Sequence, residues 1–221
     1  MSGMTRSPGA DLSRLVVVVP IHGLEGAKSR LGATLDAEER QALVLGLLDR
    51  TVRAAGGVSG LEAVVVVSPD PNVLRAAGAA GATPLRQTDD GLNEGLRAAT
   101  RWASAAGAGA ILALAGDLPA VSTATLQEFM AAAAGAASPE RPLVALVPDR
   151  HGRGTNVLLL SPPDAIPFAF GADSRRAHLD AAEAAGAEAV ELAGPLTLDL
   201  DLPEDLILAE ELGLLDPARV V

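Results

Sequence analysis

The stretch GLEGAKSRLG, residues 23–32, holds the one lysine of the chain, Lys28, against sixteen arginines. A compact ammonium on a flexible stem is the point charge that a phosphate-binding loop uses, whereas guanidinium is a planar fork. A glycine-bearing loop with Lys28 and Arg30 directly after an apolar run can wrap a polyphosphate, using backbone N–H groups and two cations. A solvated basic loop is the competing reading. Asp117, in LALAGDLPAV, follows a second apolar run. A carboxylate at such a point is a natural Mg²⁺ ligand, or else a turn aspartate bonded to its own backbone. In TLDLDLPEDL, Asp199 and Asp201 are two apart, which on a strand turns both carboxylates the same way. Two like charges side by side favour a cation between them. Alternatively Asp201, followed by Glu204, is the capping box of the last helix. Quieter signals are Thr155 in RGTNVLLL and Gly171 to Ser174 in FGADSRRAH, which lead into a helix whose free N–H groups make an anion site. Ser174 is a suitable cap there, and His178 lies one turn on, on the same face.

The elements that must position these residues follow a repeating pattern. LVVVVP at 15–20 is a short continuous apolar run ending in a breaker, as in a parallel strand covered on both faces. DAEERQALVLGLLDRTVRAA, 36–55, opens on a D-x-x-E cap and continues with helical spacing. LEAVVVVS (61–68), DPNVLRAAGAAG, ATPLRQ, GLNEGLRAATRWASAAG and AILALAGDLP (110–119) read as strand, helix, weak strand, helix and strand. A further helix is predicted from Thr123 to Ala136. This alternation implies βαβ units, whose ligands gather beyond the carboxyl ends of the strands. Past residue 140, RPLVALVP and TNVLLLS are separated by DRHGRG, too short for a crossover helix, and are expected to pair as a hairpin. SRRAHLDAAEAAG then reads as a helix, AEAVELAGPLTLDLD as strand, and LPEDLILAEELG as a final helix with Pro203 in its first turn. Residues 1–13 are expected as a flexible tail and 14–221 as one α/β domain, since the length suits one sizeable core.

Composition excludes several classes. The net charge of −11, with arginines that form no block, repels a nucleic-acid backbone. Without cysteine there is neither a disulfide framework nor a thiolate metal site. No apolar run approaches the roughly 18 residues that span a membrane, and MSGMTRSPGADLSR lacks the apolar segment of a signal peptide, so a cytoplasmic location is expected. One Trp and three Phe leave little aromatic surface on which to stack a base. Neither G-x-x-x-x-G-K-[ST] nor G-x-G-x-x-G follows the first strand, which disfavours a P-loop or a nicotinamide-binding fold.

Taken in order, VVVVPIHGLEGAKSRL, VVVVSPD, GLNEGLRAA, LAGDLPAV, RGTNVLLL, FGADSRRAH and LDLDLPEDL resemble the guanylyltransferases of coenzyme F-420 biosynthesis. The likeness covers about residues 14–212; its motifs are specific as a set and weak singly. It implies a single-domain, Rossmann-like nucleotidyltransferase fold, with a mostly parallel sheet flanked by helices and a hairpin insertion in the C-terminal half. The implied reaction moves GMP from GTP to the phosphate of phosphoenolpyruvate or 2-phospho-L-lactate. The resemblance implies Lys28, Arg30 and Asp117 as catalytic, Gly91, Asn93 and Lys28 on the nucleotide, and Thr155, Gly171, Ser174 and His178 on the acceptor. Mg²⁺ would be held by Asp117, Asp199 and Asp201. The implied partners are GTP and a small phosphorylated carboxylic acid, with no nucleic acid or membrane; a homodimer is left open. One departure stands out: the family loop usually carries V-P-V-K, and His22 occupies the place of that lysine, so a cation is lost or made pH-dependent. Another acceptor on the same fold, such as a sugar phosphate or molybdopterin, and a catalytically silent GTP-binding homologue are the alternatives.

Overall fold

A computed structural model of the protein describes residues 9–215. Its single sheet is ordered β3-β2-β1-β4-β6-β5-β7. The strands are β1 (Leu15–Pro20), β2 (Leu61–Ser68), β3 (Thr83–Arg86), β4 (Ala110–Leu114), β5 (Leu143–Pro148), β6 (Thr155–Ser161) and β7 (Glu188–Glu191). β1 lies between β2 and β4 and is parallel to both, and its first five residues are buried. That double covering is why the run LVVVV is apolar without alternation. β6 is the antiparallel member, bonded to β4 on one side and to β5 on the other. The expected hairpin of β5 and β6 is therefore present and lies within the sheet.

Successive residues of the strands serve opposite layers, as the pleat demands. Leu15, Val17 and Val19 pack with Val44, Leu48 and Val52 of α1 (Ala37–Gly56), Val73 and Ala77 of α2 (Pro71–Ala80), and Leu126 and Phe129 of α4 (Thr123–Ala136). Val16 and Val18 instead meet Leu96, Ala99 and Ala103 of α3 (Leu92–Ala105) and Ala182 of α5 (Ser174–Ala184). α1 starts on the predicted capping box: the Asp36 side chain accepts from the Glu39 amide, and the Glu39 carboxylate accepts from the Asp36 amide. Among the described residues no helix is long and apolar enough to cross a membrane.

One expectation is corrected. AEAVELAGPLTLDLD is strand only over β7; a 3-10 turn follows at Pro195–Thr197, and 198–201 is extended chain outside the sheet. The period of two survives there, with Leu198 and Leu200 buried and Asp199 and Asp201 half-buried. Residues 10 and 11, expected within the tail, are bonded to the domain. The Ala10 amide donates to the Ser138 carbonyl, the Asp11 amide donates to Ser161 Oγ, and that hydroxyl donates to the Asp11 carbonyl. Residues 1–8 of the expected tail lie outside the described residues.

A third, smaller cluster connects the segments that carry the candidate charges. Leu31 follows the Lys28 loop, and it packs with Leu43 and Leu47 of α1, with Leu198 and Leu200, and with Leu206 and Ala209 of α6 (Pro203–Glu211). Leu31 is fully buried, so Leu31→Ala is expected to cost about 2–5 kcal/mol through lost transfer and an unfilled cavity. Urea unfolding measures this. A cost below about 1 kcal/mol would mean that the loop collapses onto α1 and that the cluster does not fix it.

Candidate active site

The Lys28 loop leaves β1 and is tied down on both flanks. Before the lysine, the Leu24 amide donates to Asp70 Oδ2 at 3.0 Å, and Asp70 also caps α2 through the Asn72 amide. These amide bonds, above all that from Leu24, hold the Asp70 carboxyl below its usual range against the smaller cost of burial. On the other side, Arg40 of α1 donates to the carbonyls of Ala27 and Leu35. Lys28 itself is left-handed, at φ 51° and ψ 40°. That conformation is uncommon outside glycine, and it persists where surrounding bonds over-determine it.

The loop carries the Lys28 ammonium between two carboxylates. Its Nζ donates to Asp117, just beyond β4, and to Asp201 Oδ1 at 2.8 Å. The side chain is only 13% exposed. Burial opposes its charge, but the fields of Asp117 and Asp201 outweigh burial and raise the pKa. Arg30, 71% exposed, stands 3.8 Å from Asp201. Asp199 completes the group. Its carboxyl is pushed up to about 6, first by burial and then by the charges of Asp117 and Asp201, with Lys28 offsetting only part.

Asp201 is free for this contact because another residue caps α6. Asp205 Oδ2 accepts from the amides of Asp201 and Leu202, at 2.9 and 2.6 Å, while Arg150 pairs with its other oxygen at 2.6 Å. The capping-box alternative for Asp201 with Glu204 is thereby replaced. The extended segment is also held directly to the GDLP turn, since the Leu200 amide donates to the Asp117 carbonyl. The Asn156 side chain donates to the carbonyls of Leu196 and Thr197 and fixes the approach to it.

Lys28, Arg30, Asp117 and Asp201, but not Asp199, border a cavity of about 470 Å³ at the ends of β1 and β4, within the range of small-molecule sites. Thr155, His22 and Leu92 line it as well. Phe170 lines it too, so the near-absence of aromatics in the sequence did not keep one from the site. Its ring packs against Phe168 and sets an edge against His178, with centroids 6.1 and 4.9 Å apart.

The remaining predicted residues support the wall. Asn93 is engaged on both sides by the backbone of Phe170, with its Nδ2 donating to the carbonyl and its Oδ1 accepting from the amide. It is thus a clamp on the 168–171 loop. Gly91, at φ 98°, precedes α3 and permits the turn into it. At α5 the N-cap is Asp173, not Ser174. Two of the amides expected to be free are taken, Ser174 N–H by the Gly171 carbonyl and Arg175 N–H by the Arg153 carbonyl. The Ser174 hydroxyl instead donates to Thr155 Oγ1. His178 is fully buried behind Thr155 and is not among the residues that line the cavity.

Asp70 and Asp205 were missed. Both had a signal, an acidic residue placed to cap a helix that begins with Pro71 or Pro203, but nothing marked them as holding a site together.

As for Mg²⁺, the charges of Asp117 and Asp201 add to burial in raising the Asp199 carboxyl, and a divalent cation relaxes such crowding. The three carboxylates fit it by charge and chemistry. Among the described residues, however, no three acidic or histidine side chains converge as a ready metal cluster, and the Lys28 ammonium takes the place between Asp117 and Asp201.

Burial alone lowers the His178 pKa from 6.5 to about 4. The unfolded chain therefore binds the extra proton first. The stabilisation is complete above about pH 6.5 and is lost as pH falls to about 4, by up to about 3 kcal/mol. Urea midpoints followed from pH 7.5 to pH 4 should fall further in the wild-type protein than in His178→Asn. Parallel curves would exclude His178 as the source.

Comparison with known proteins agrees with this layout. Residues 15–210 match the family described as "Guanylyl transferase CofC like". The chain is 46% identical over 197 residues to a phosphoenolpyruvate guanylyltransferase of Rubrobacter xylanophilus, covering 89% of this chain and 93% of that protein. It is 44% identical to the protein of the same name from Sphaerobacter thermophilus, covering 86% and 90%. Among solved structures, a Methanothermobacter nucleotidyl transferase shares the fold with a TM-score of 0.60 at 20% identity, covering 90% of this chain and 96% of that one. A CMP:2-keto-3-deoxy-manno-octonic acid synthetase complexed with CTP does so with a TM-score of 0.60 at 16% identity, covering 90% and 98%. With the family match running through all seven strands and the motifs standing around one cavity, the chain belongs to the CofC-like guanylyl transferase family.

Proposed function

We propose that the protein transfers GMP from GTP to the phosphate of phosphoenolpyruvate, with 2-phospho-L-lactate as the nearest alternative acceptor, and releases pyrophosphate. The observation that carries this reading is the Lys28 ammonium between Asp117 and Asp201 at the mouth of the cavity; the names of its relatives supply the substrates. The acceptor phosphate is already mostly dianionic at pH 7, with a second pKa of about 6. It needs no protein base. One of its oxygens bonds to the α-phosphorus of GTP, the bond from that phosphorus to the α–β bridging oxygen breaks, and the electron pair leaves with pyrophosphate. The difficulty is the approach of two anions, so charge neutralisation and alignment carry the catalysis.

Lys28 and Arg30 lie where they can receive the phosphates. The exposed Arg30 guanidinium meets the nucleotide first, and Lys28 moves from its carboxylates to the departing pyrophosphate as charge builds there. Asp117, Asp199 and Asp201 would hold Mg²⁺, which when bound neutralises phosphate oxygens and polarises the α-phosphoryl group. Thr155, which lines the same cavity, takes the acceptor carboxylate. A cytoplasmic location suits these soluble, charged substrates.

The test is mass analysis of the product formed from GTP with each acceptor, alongside pyrophosphate release. A GMP adduct of phosphoenolpyruvate is expected. GTP binding without pyrophosphate would identify a silent homologue, and preference for a sugar phosphate would move the protein to another acceptor.

Because Asp205 caps α6, Asp201→Asn should leave the helix cap intact and lower transfer by a larger factor than it lowers stability. Equal loss of stability and activity would return Asp201 to a structural role. Lys28→Ala should lower kcat more than GTP affinity, since its contact strengthens as pyrophosphate leaves. Lys28→Arg should recover only part of the rate, because a planar fork does not fit between Asp117 and Asp201 as an ammonium does. Full activity in Lys28→Arg would mean that the lysine is not specifically required.

A further inference from the structure

We propose that His178 is a positioning residue that fixes the polarity of the acceptor pocket: it holds Thr155 Oγ1 as an obligate hydrogen-bond donor toward the cavity, so that this end of the site selects a carboxylate oxygen and refuses a neutral group that must donate. The inference deepens the transferase reading and rests on it for the substrate, while its hydrogen-bond logic is independent of the reaction. The Ala169 amide donates to His178 Nε2 at 3.0 Å. A ring nitrogen that accepts carries no proton, so in the neutral ring the proton is on Nδ1. Nδ1 lies 3.1 Å from Thr155 Oγ1, which must therefore accept from it. Ser174 Oγ donates to the same oxygen at 3.3 Å.

A hydroxyl has two acceptor sites and one proton. With both acceptor sites occupied, Thr155 has only its proton left to offer, and Thr155 is the member of this chain that lines the cavity. The arrangement is buried except where Thr155 meets the cavity: His178 is fully buried, and Ser174 and Thr155 are 2% and 8% exposed. Burial also keeps the ring neutral at ordinary pH, the state in which it can accept from Ala169. An acceptor oxygen of the substrate completes the chain. An N–H of the substrate would face a proton and leave both groups unpaired, which is the costly outcome in a buried site. The Asn93 clamp on Phe170 keeps the Ala169 amide in register with the ring.

Two substitutions divide the functions of the imidazole. His178→Asn places an amide N–H near the position of Nδ1 and preserves the donor to Thr155. His178→Gln reaches the position of Nε2, preserves the acceptor for Ala169 and loses that donor. With GTP and phosphoenolpyruvate, His178→Asn is expected to keep its acceptor KM within about threefold of wild type. His178→Gln should raise it about tenfold or more, with the GTP KM unchanged. Equal acceptor KM values in the two variants, or a parallel rise in the GTP KM, would overturn the proposal. Nitrogen-15 NMR of the imidazoles reads the tautomer directly in the wild-type protein, whose three histidines are assigned by the His178 variants. A protonated Nδ1 is expected. A proton on Nε2 overturns the inference whatever the activity, and a protonated Nδ1 in a protein that makes no product would remove the transferase reading while retaining the role of the ring.

Discussion

The contact on which the site depends is the Lys28 ammonium held by Asp117 and Asp201. It joins residues 89 and 173 positions apart in sequence, and it brings together the loop after β1, the turn after β4 and the chain before α6. Two carboxylates and a half-buried Asp199 would repel one another across this gap without a cation. One ammonium offsets only part of that repulsion at Asp199, whose carboxyl is raised first by burial and then by Asp117 and Asp201. The site in this state is thus drawn together by charge and still short of positive charge. A resting site of that kind is prepared for a ligand that arrives with cations and carries the phosphates that Lys28 can move to.

The scaffold resists the strain of that grouping. β1 and β4 are parallel neighbours, so the segments that leave them emerge on the same edge of the sheet, the position where α/β folds bind ligands. The leucine cluster of Leu31, Leu198 and Leu200 buries the apolar partners of the charged residues on either side of the gap. Each charged segment is therefore anchored within a few residues of its functional group. The left-handed backbone at Lys28 is the local cost of aiming the side chain inward, and the bonds of Asp70 and Arg40 to the loop offset it.

Much of the sheet was legible because its strands are short apolar runs covered on both faces, which no surface element would tolerate. The helix from Thr123 to Ala136 is read with the same bounds in sequence and structure. The segment after β7 was not legible. TLDLD has the alternation of a strand, yet it lies outside the sheet with Leu198 and Leu200 in the leucine cluster, and periodicity responds to alternating burial whether or not a neighbouring strand is bonded. In the site, residue types pointed to Lys28, Asp117 and Asp201, since isolated charges beside apolar runs are conspicuous. Spacing could not separate Asp201 from Asp205 as the cap of α6, because both precede or enter the helix and both are aspartates. The choice is made in three dimensions, where Asp205 folds back on the amides of Asp201 and Leu202.

The acceptor side shows why residues that share a motif need not share a role. Thr155, Ser174 and His178 form one hydrogen-bonded chain, yet only Thr155 faces the cavity. Sequence spacing places His178 one helical turn from Ser174, which is correct, but the same spacing fits a residue that touches a ligand and one that holds the residue touching it. Burial distinguishes them. A fully buried imidazole offers no surface to a substrate, while its two nitrogens, one accepting from Ala169 and one donating to Thr155, transmit the direction of a backbone N–H to the cavity wall. Asn93 acts in the same way on Phe170. Both residues convert the fixed geometry of a loop backbone into the geometry of a site, so their identity is constrained by the chemistry of the bonds they make.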